Sequence, residues 1–340
     1  MTERLRRLGP FHVGPIHIGR RLPNRPLWST EPDWVQASEP RIARMLDRAL
    51  ARPSGGWLVV DQTRAIGDVP RKYVIDGQEL VAWRSHGRPV VAPASCPHMG
   101  ADLSTGCVRA GRLVCPWHGL SLGPDRHGRW APLRTYDDGV LVWVRGESAD
   151  AAELTDAPLV PARPGRFLDA TIRMEAACDP ADIVANRLDP WHGAHYHPHS
   201  FASLDVLEVT DDIITLRVAY RVAGPVEMLV DASFHSPEPN TIVMTIIAGD
   251  GVGSVVETHA TPIGKGRTAV IESTLATSDR PGFGWALRAA KWLRPAVESR
   301  ARRLWVEDIA YAERRYLLRE GQEFLRPSAS FPKTLRVLSR

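Results

Sequence analysis

A chain of 340 residues with 44% hydrophobic and 24% charged residues can bury a sizeable core, and its length suggests about two domains. Its net charge of +4 is not gathered into a Lys/Arg block, so nucleic acid is not the expected partner; an acidic protein or an anionic membrane surface fits the balance equally well. No stretch reaches the ~20 apolar residues of a membrane span, no apolar signal core follows the charged start MTERLRRLGPFHVG, and the pairing of cysteines with histidines points to metal and to the reducing cytosol rather than to disulfides.

Residues 1–56 are rich in Pro and Arg and form an extension whose helical stretch, EPRIARMLDRALAR (39–52), packs on the core until RPSGG (52–56) breaks it. Residues 57–147 are short and strand-like, as an all-β domain requires. KYVIDGQELVAWRSHGRPVVAPAS (72–95) reads as strands turning at Asp76-Gly77 and His86-Gly87, and GVLVWVRG (139–146) as one more buried strand. The polar, Ala/Pro-rich joint ESADAAELTDAPLVPARPG (147–165) opens a second domain, 148–340.

That domain begins with a strand, FLDATIRMEA (167–176). Asp179-Pro180 then suits a helix start, with Asp as N-cap and Pro in the first turn. Period-2 alternation follows. Ile214, Leu216, Val218, Tyr220 and Val222 share one face, as do Val226, Met228, Val230, Ala232 and Phe234, then Ile242, Met244, Ile246 and Ala248. This predicts an antiparallel sheet with one buried face. Gly284 to Glu320 reads as helix with a kink at Pro295. The class is α+β.

Two stretches carry chemistry. SCPHMGADLSTGCVRAGRLVCPWHGL (95–120) holds Cys96, His98, Cys115 and His118 in the pattern Cys-x-His-x16-Cys-x2-His. A zinc finger pairs its cysteines with each other and its histidines likewise. Here each loop carries one of each, so two cysteines can hold one iron and two histidines the other, which is the ligation of a Rieske [2Fe–2S] cluster. NRLDPWHGAHYHPHS (186–200) crowds His192, His195, His197 and His199 into eight residues. Two histidines and a carboxylate on one face suit an O₂-activating ferrous ion. Spacing alone leaves the pair open: His192 and His195 share a helix face, while His192 and His197 need an irregular turn.

Residues 57–320 resemble the Rieske non-haem iron oxygenases. CPHMGADLSTG and GRLVCPWHG match their cluster loops, with Leu120 standing where an aromatic residue usually follows the His-Gly. Cys107 has no nearby partner cysteine. Asn186, Asp189, His192 and His197 match the family's Asn-x2-Asp-x2-His-x4-His. The resemblance implies His192 and His197 as iron ligands, with His195 and His199 outside the ligand set. It also implies a third ligand in LWVEDIAYAERRYL (304–317), Asp308, with Glu307 the alternative.

The same resemblance implies a helix-grip, START-like catalytic domain with an antiparallel sheet and long C-terminal helices. It implies a homotrimer in which Asp189 bridges a cluster histidine of one subunit and His192 of the next; Asp189, directly before Pro190, also reads as a helix N-cap. No dinucleotide fingerprint appears, so electrons are expected from a ferredoxin or an NAD(P)H-dependent reductase. LDPWH (188–192) is similar to the wording of steroid ring hydroxylases, cholesterol desaturases and chlorophyll-breakdown oxygenases. That implies hydroxylation, desaturation or demethylation of a hydrophobic, polycyclic or isoprenoid-like substrate. GFGWALRAAKWLRPAVESRARRLW (282–305) reads as a basic amphipathic helix covering the sheet or meeting a membrane surface. The alternative function is an electron carrier or ligand-binding protein with an inactive second domain.

Overall fold

The computed structural model describes residues 11–13, 16–18, 37–146, 154–223 and 226–321. Most of the 1–56 extension, the 147–148 boundary, the chain beyond 321 and the side chains of Val222 and Val226 lie outside them. A short hairpin, β1 (Phe11–Val13) with β2 (Ile16–Ile18), precedes helix α1 (Glu39–Leu50). Pro40 sits in the first turn of α1, where its missing N–H costs nothing. The helix buries Met45, Leu46 and Ala49 against Val184, Ala185 and Leu216 of the second domain.

Strand β3 (Trp57–Gln62) opens the all-β part. Then come β4 (Arg71–Ile75), β5 (Gln78–Ser85) and β6 (Arg88–Pro93), paired antiparallel in that order. Asp76 and Gly77 take φ of 49° and 75°, and His86 and Gly87 take 49° and 82°. Such a pair of positive φ values makes the tight hairpin turn whose twist matches its strands. Strands β7 (Cys107–Arg109), β8 (Arg112–Val114) and β9 (Ser121–Leu122) form a second small sheet, and β10 (Thr135–Asp137) with β11 (Leu141–Arg145) completes a third by pairing with β3. Trp83, Leu103, Leu113, Leu122 and Trp130 form the core beneath the Cys/His loops, and Leu120 packs against it.

The second part begins with β12 (Leu168–Ala176), α2 (Pro180–Arg187) and α3 (His192–Tyr196). The strands β13 (Phe201–Val209), β14 (Ile213–Ala223), β15 (Val226–Glu238), β16 (Thr241–Gly249), β17 (Val255–Gly264) and β18 (Arg267–Ala276) follow. They make one antiparallel sheet ordered β13-β14-β15-β16-β17-β18-β12, with β2 attached to the start of β15. The period-2 pattern buries Ile214, Leu216, Val218, Val230, Ala232, Phe234, Ile242, Met244 and Ile246 in one cluster. It stops before Ala248, which is exposed: a register shift between Asp231 and Ala232 ends the alternation there.

Helices α4 (Phe283–Arg288) and α5 (Ala290–Arg319) close the domain. The two helices part at Ala289, whose N–H bonds the Trp285 carbonyl, and Pro295, the expected kink position, lies inside α5. Pro295 sits in the second turn of α5, where the carbonyl its ring displaces belongs to the exposed Lys291. Trp305, Ile309 and Ala312 of α5 pack on Ile172, Ala260 and Val270. The other face of the sheet is covered by the all-β part, where Trp57, Val59, Leu141 and Trp143 meet Val243, Val255, Ile271 and Leu275. Arg163, from the segment between the two parts, pins them together. It forks onto Glu257 (2.6 and 2.7 Å) and reaches Asp138 (2.9 Å), all three nearly buried.

Candidate metal centres

The first centre is built from two loops of the same design. Cys96 N–H donates to the Ala101 carbonyl (2.9 Å) and Gly100 N–H returns to the Cys96 carbonyl (2.8 Å). Cys115 and Leu120 (2.8 Å), and Gly119 and Cys115 (3.1 Å), repeat the arrangement. Gly100 and Gly119 take φ of 78° and 73°, the left-handed turn that folds each loop back on its cysteine. Cys96 and Cys115 are buried; His98 and His118 are exposed, with ring centroids 4.9 Å apart. Thus two sulfurs lie inside and two imidazoles outside.

The backbone N–H groups of His98 and Met99 point at the Cys96 sulfur, and those of Trp117 and His118 at the Cys115 sulfur. Burial raises the Cys96 thiol, whereas at Cys115 burial is outweighed by those N–H groups and the neighbouring Cys96 thiol, so Cys115 ionises more readily. A donor set of two thiols and two imidazoles, with N–H groups aimed at the sulfurs, fits a Rieske cluster. Cys107 is a free, exposed thiol away from this set.

The second centre joins α2, α3 and α5. Ligand atoms of His192, His197 and Asp308 all lie within 4.8 Å of one another. Both imidazoles turn Nε2 toward Asp308 Oδ1, at 3.1 Å from His192 and 2.9 Å from His197. The same oxygen accepts from Asn186 Nδ2 (3.1 Å). One turn of helix, His192–Tyr196, brings the pair together: His197 follows it with φ −118° and ψ 52°, an irregular turn that swings its ring under His192. His195 is exposed on that turn and is not among the three grouped ligands. Glu307 lies on the far side of His197, accepting at 2.6 Å from Nδ1, with His199 Nδ1 3.7 Å away. Glu307 therefore orients His197 and fixes the tautomer that leaves Nε2 free to ligate.

Asp189 is not an N-cap. Helix α3 starts three residues later with Trp191 in that position; Asp189 N–H donates back to the Asn186 carbonyl, and the Pro190 carbonyl accepts from Gly193 N–H in the turn that enters α3. Its Oδ2 lies 3.7 Å from His192 Nδ1 and accepts from the Tyr311 hydroxyl at 3.0 Å. Its buried Oδ1 has no hydrogen-bond partner among the described residues. Tyr311, whose ring stacks on His192 at 5.1 Å, was not singled out from sequence. The signal was its position three residues after Asp308 on one helix face.

The electrostatics fit a divalent metal. At Asp308 burial works against ionisation, but His192 and His197 outweigh it and hold the carboxyl well below the usual range. At His192 burial favours the neutral ring, yet Asp189 and Asp308 raise it to about 9. A metal ion must displace that proton. Binding to metal-free protein is thus expected to release about one proton per ion at pH 7, with apparent affinity rising as pH climbs toward the His192 value. Calorimetric titration with Co(II) in buffers of different ionisation enthalpy measures this; a buffer-independent heat contradicts it.

Two family models match this chain: a Rieske [2Fe-2S] domain over residues 56–137, and a domain of unknown function, DUF5914, over residues 149–323. The vanillate O-demethylase oxygenase subunit of Pseudomonas sp. (strain HR199 / DSM 7063) is 28% identical over 201 residues, 51% of this chain and 55% of that protein. Aminopyrrolnitrin oxygenase of Pseudomonas fluorescens is 25% identical over 201 residues, 57% and 47% of the two chains. The chain thus spans about half the length of these curated relatives. Dicamba monooxygenase bound to dicamba superposes with a TM-score of 0.58 over 82% of this chain and 92% of that one, at 19% identity, and so shares the fold.

Proposed function

The chain belongs to the Rieske non-haem iron oxygenases, with the DUF5914 family covering its carboxy-terminal half, and from that premise we propose that it is the oxygenase component of a multicomponent system. The observation that carries this reading is the convergence of His192, His197 and Asp308 in a chain that also carries paired Cys/His loops. When bound, the cluster supplies electrons singly and the ferrous ion supplies the reduction of O₂ beside the substrate. Asn186 and Glu307 orient the mononuclear ligands, and His98 and His118 bring the cluster edge to the surface, flanked by the exposed Met99 and Trp117.

Electrons come from a ferredoxin or an NAD(P)H-dependent reductase. The assembly is a homotrimer in which Asp189 joins His192 to a cluster histidine of the neighbour; its partnerless Oδ1 supports that role. The working division is 57–147 for the cluster domain and 148–340 for the catalytic one. The substrate is hydrophobic, polycyclic or isoprenoid-like, and is hydroxylated, desaturated or demethylated; the apolar inner face of the sheet, with Phe234 and Met244, supports this. Trp285 and Trp292, 71% and 74% exposed under Arg288 and Lys291, support peripheral contact between a cytosolic protein and a membrane surface. No helix among the described residues is long and apolar enough to cross one.

Metal analysis and electron paramagnetic resonance test the reading. The protein is expected to hold about three irons per chain and to give a Rieske-type signal when reduced. Cys96→Ser is expected to lose the cluster signal and retain the mononuclear iron. Zinc in place of iron, or a normal cluster in Cys96→Ser, overturns it.

A further inference from the structure

Arg187 is the last residue of α2 and follows Asn186, which holds Asp308. Its guanidinium carbon lies 5.8 Å from the Phe234 ring and 5.7 Å from the Trp305 ring, so the group reaches across the space between the sheet and α5. The aromatic rings stabilise the cation but take up none of its N–H donors. The nearest carboxylate oxygen, Oε2 of Glu272, is 3.9 Å from Nη2, beyond hydrogen-bond range. Nε is buried with no partner among the described residues. Glu272 is itself engaged by the Thr258 hydroxyl at 3.3 Å, and burial pushes its carboxyl up, which weakens its hold on the guanidinium.

A largely buried cation whose Nε–H has no partner among the described residues is costly unless something binds it. Nε and Nη2 make one edge of the guanidinium, the fork that receives a carboxylate with two parallel hydrogen bonds. Arg187 directly follows Asn186, which donates to Asp308, and its charge helps hold Asp308 ionised. The side chains flanking the guanidinium, Phe234 and Trp305, are buried and aromatic. Resting on the oxygenase reading above, we propose that Arg187 is the substrate-anchoring residue and that the substrate is a hydrophobic acid, an apolar body with one oxyanion end held by the Nε–Nη2 edge. This anchor sets which carbon of the apolar body faces the ligands His192, His197 and Asp308.

The test uses two probes of one shape, 2-naphthoate and 2-naphthamide, titrated calorimetrically and without O₂ into the metal-loaded full chain. Wild type is expected to bind the carboxylate at least about tenfold more tightly than the amide. Arg187→Met alone takes away the cation 3.9 Å from the buried Glu272 carboxyl and risks misfolding, so Arg187→Met/Glu272→Gln is the main variant. It is expected to lose the preference for the acid while keeping its affinity for the amide and its iron content. Equal affinity of wild type for both probes, binding of neither, or a preference that survives in the variant overturns the proposal. Iron and cluster content measured on the same samples separate this outcome from failure of the oxygenase reading, which shows as missing metals.

Discussion

Asp308→Ala is expected to strip the mononuclear iron and abolish turnover while the cluster signal is unchanged. Oδ1 of Asp308 is where both Nε2 atoms and Asn186 Nδ2 converge, and its carboxyl stays ionised despite burial. Alanine leaves two neutral imidazoles, a poor set for a hard divalent ion. The fall in affinity should exceed the ~10–100-fold typical of losing an orienting partner alone. Glu307→Gln supplies that comparison, since it weakens only the support of His197 Nδ1.

The metal-free proteins carry a pH signature as well. His192 rises from 6.5 to about 9 in the fold, partly because of Asp308, so its stabilisation is fully present below 6.5 and is lost as pH climbs through about 9. The contribution of Asp308 is lost instead as pH falls through its depressed value. Asp308→Ala should therefore be most destabilised, relative to wild type, in mildly acidic solution, and the gap should narrow above about pH 9. Denaturant unfolding of the two metal-free proteins across pH measures the gap; one that widens with pH contradicts the assignment.

The second large effect is expected from Asp189→Asn, which should keep both metals and the fold yet slow the cluster's reoxidation about 100-fold, the upper end of what an orienting carboxylate contributes. Asparagine retains an oxygen for the Tyr311 hydroxyl, and no helix cap is lost because Trp191 occupies that position. What disappears is the negative charge 3.7 Å from His192 and the second acceptor, Oδ1, assigned to the neighbouring subunit. Tyr311→Phe removes the hydroxyl contact alone and should change the rate little. The measurement is single-turnover reoxidation of a pre-reduced cluster with O₂ and substrate. A wild-type rate in Asp189→Asn ends the proposed route between subunits.

Features written in local spacing can be read from the chain directly. The Cys/His loops form because each motif carries its own turn: a cysteine, a histidine and a glycine at positive φ within five residues. The two hairpin turns and the buried faces of β14, β15 and β16 follow likewise from residue type and a period of two. Features that depend on residues far apart in the chain emerge only on packing. Spacing allowed His195 as readily as His197, and the direction of the turn after Tyr196 decides between them. Glu307 and Asp308 are neighbours on one helix, and only the rotation of α5 against α2 puts Asp308 between the histidines and Glu307 behind His197. Arg187, an ordinary helix-end cation in sequence, is left with a partnerless Nε–H only when Phe234, Glu272 and Trp305, from three separate elements, close around it. The same reason serves all three: a repeat or a turn is set by forces between neighbours in sequence, while a donor's unmet hydrogen bond is a property of everything packed around it.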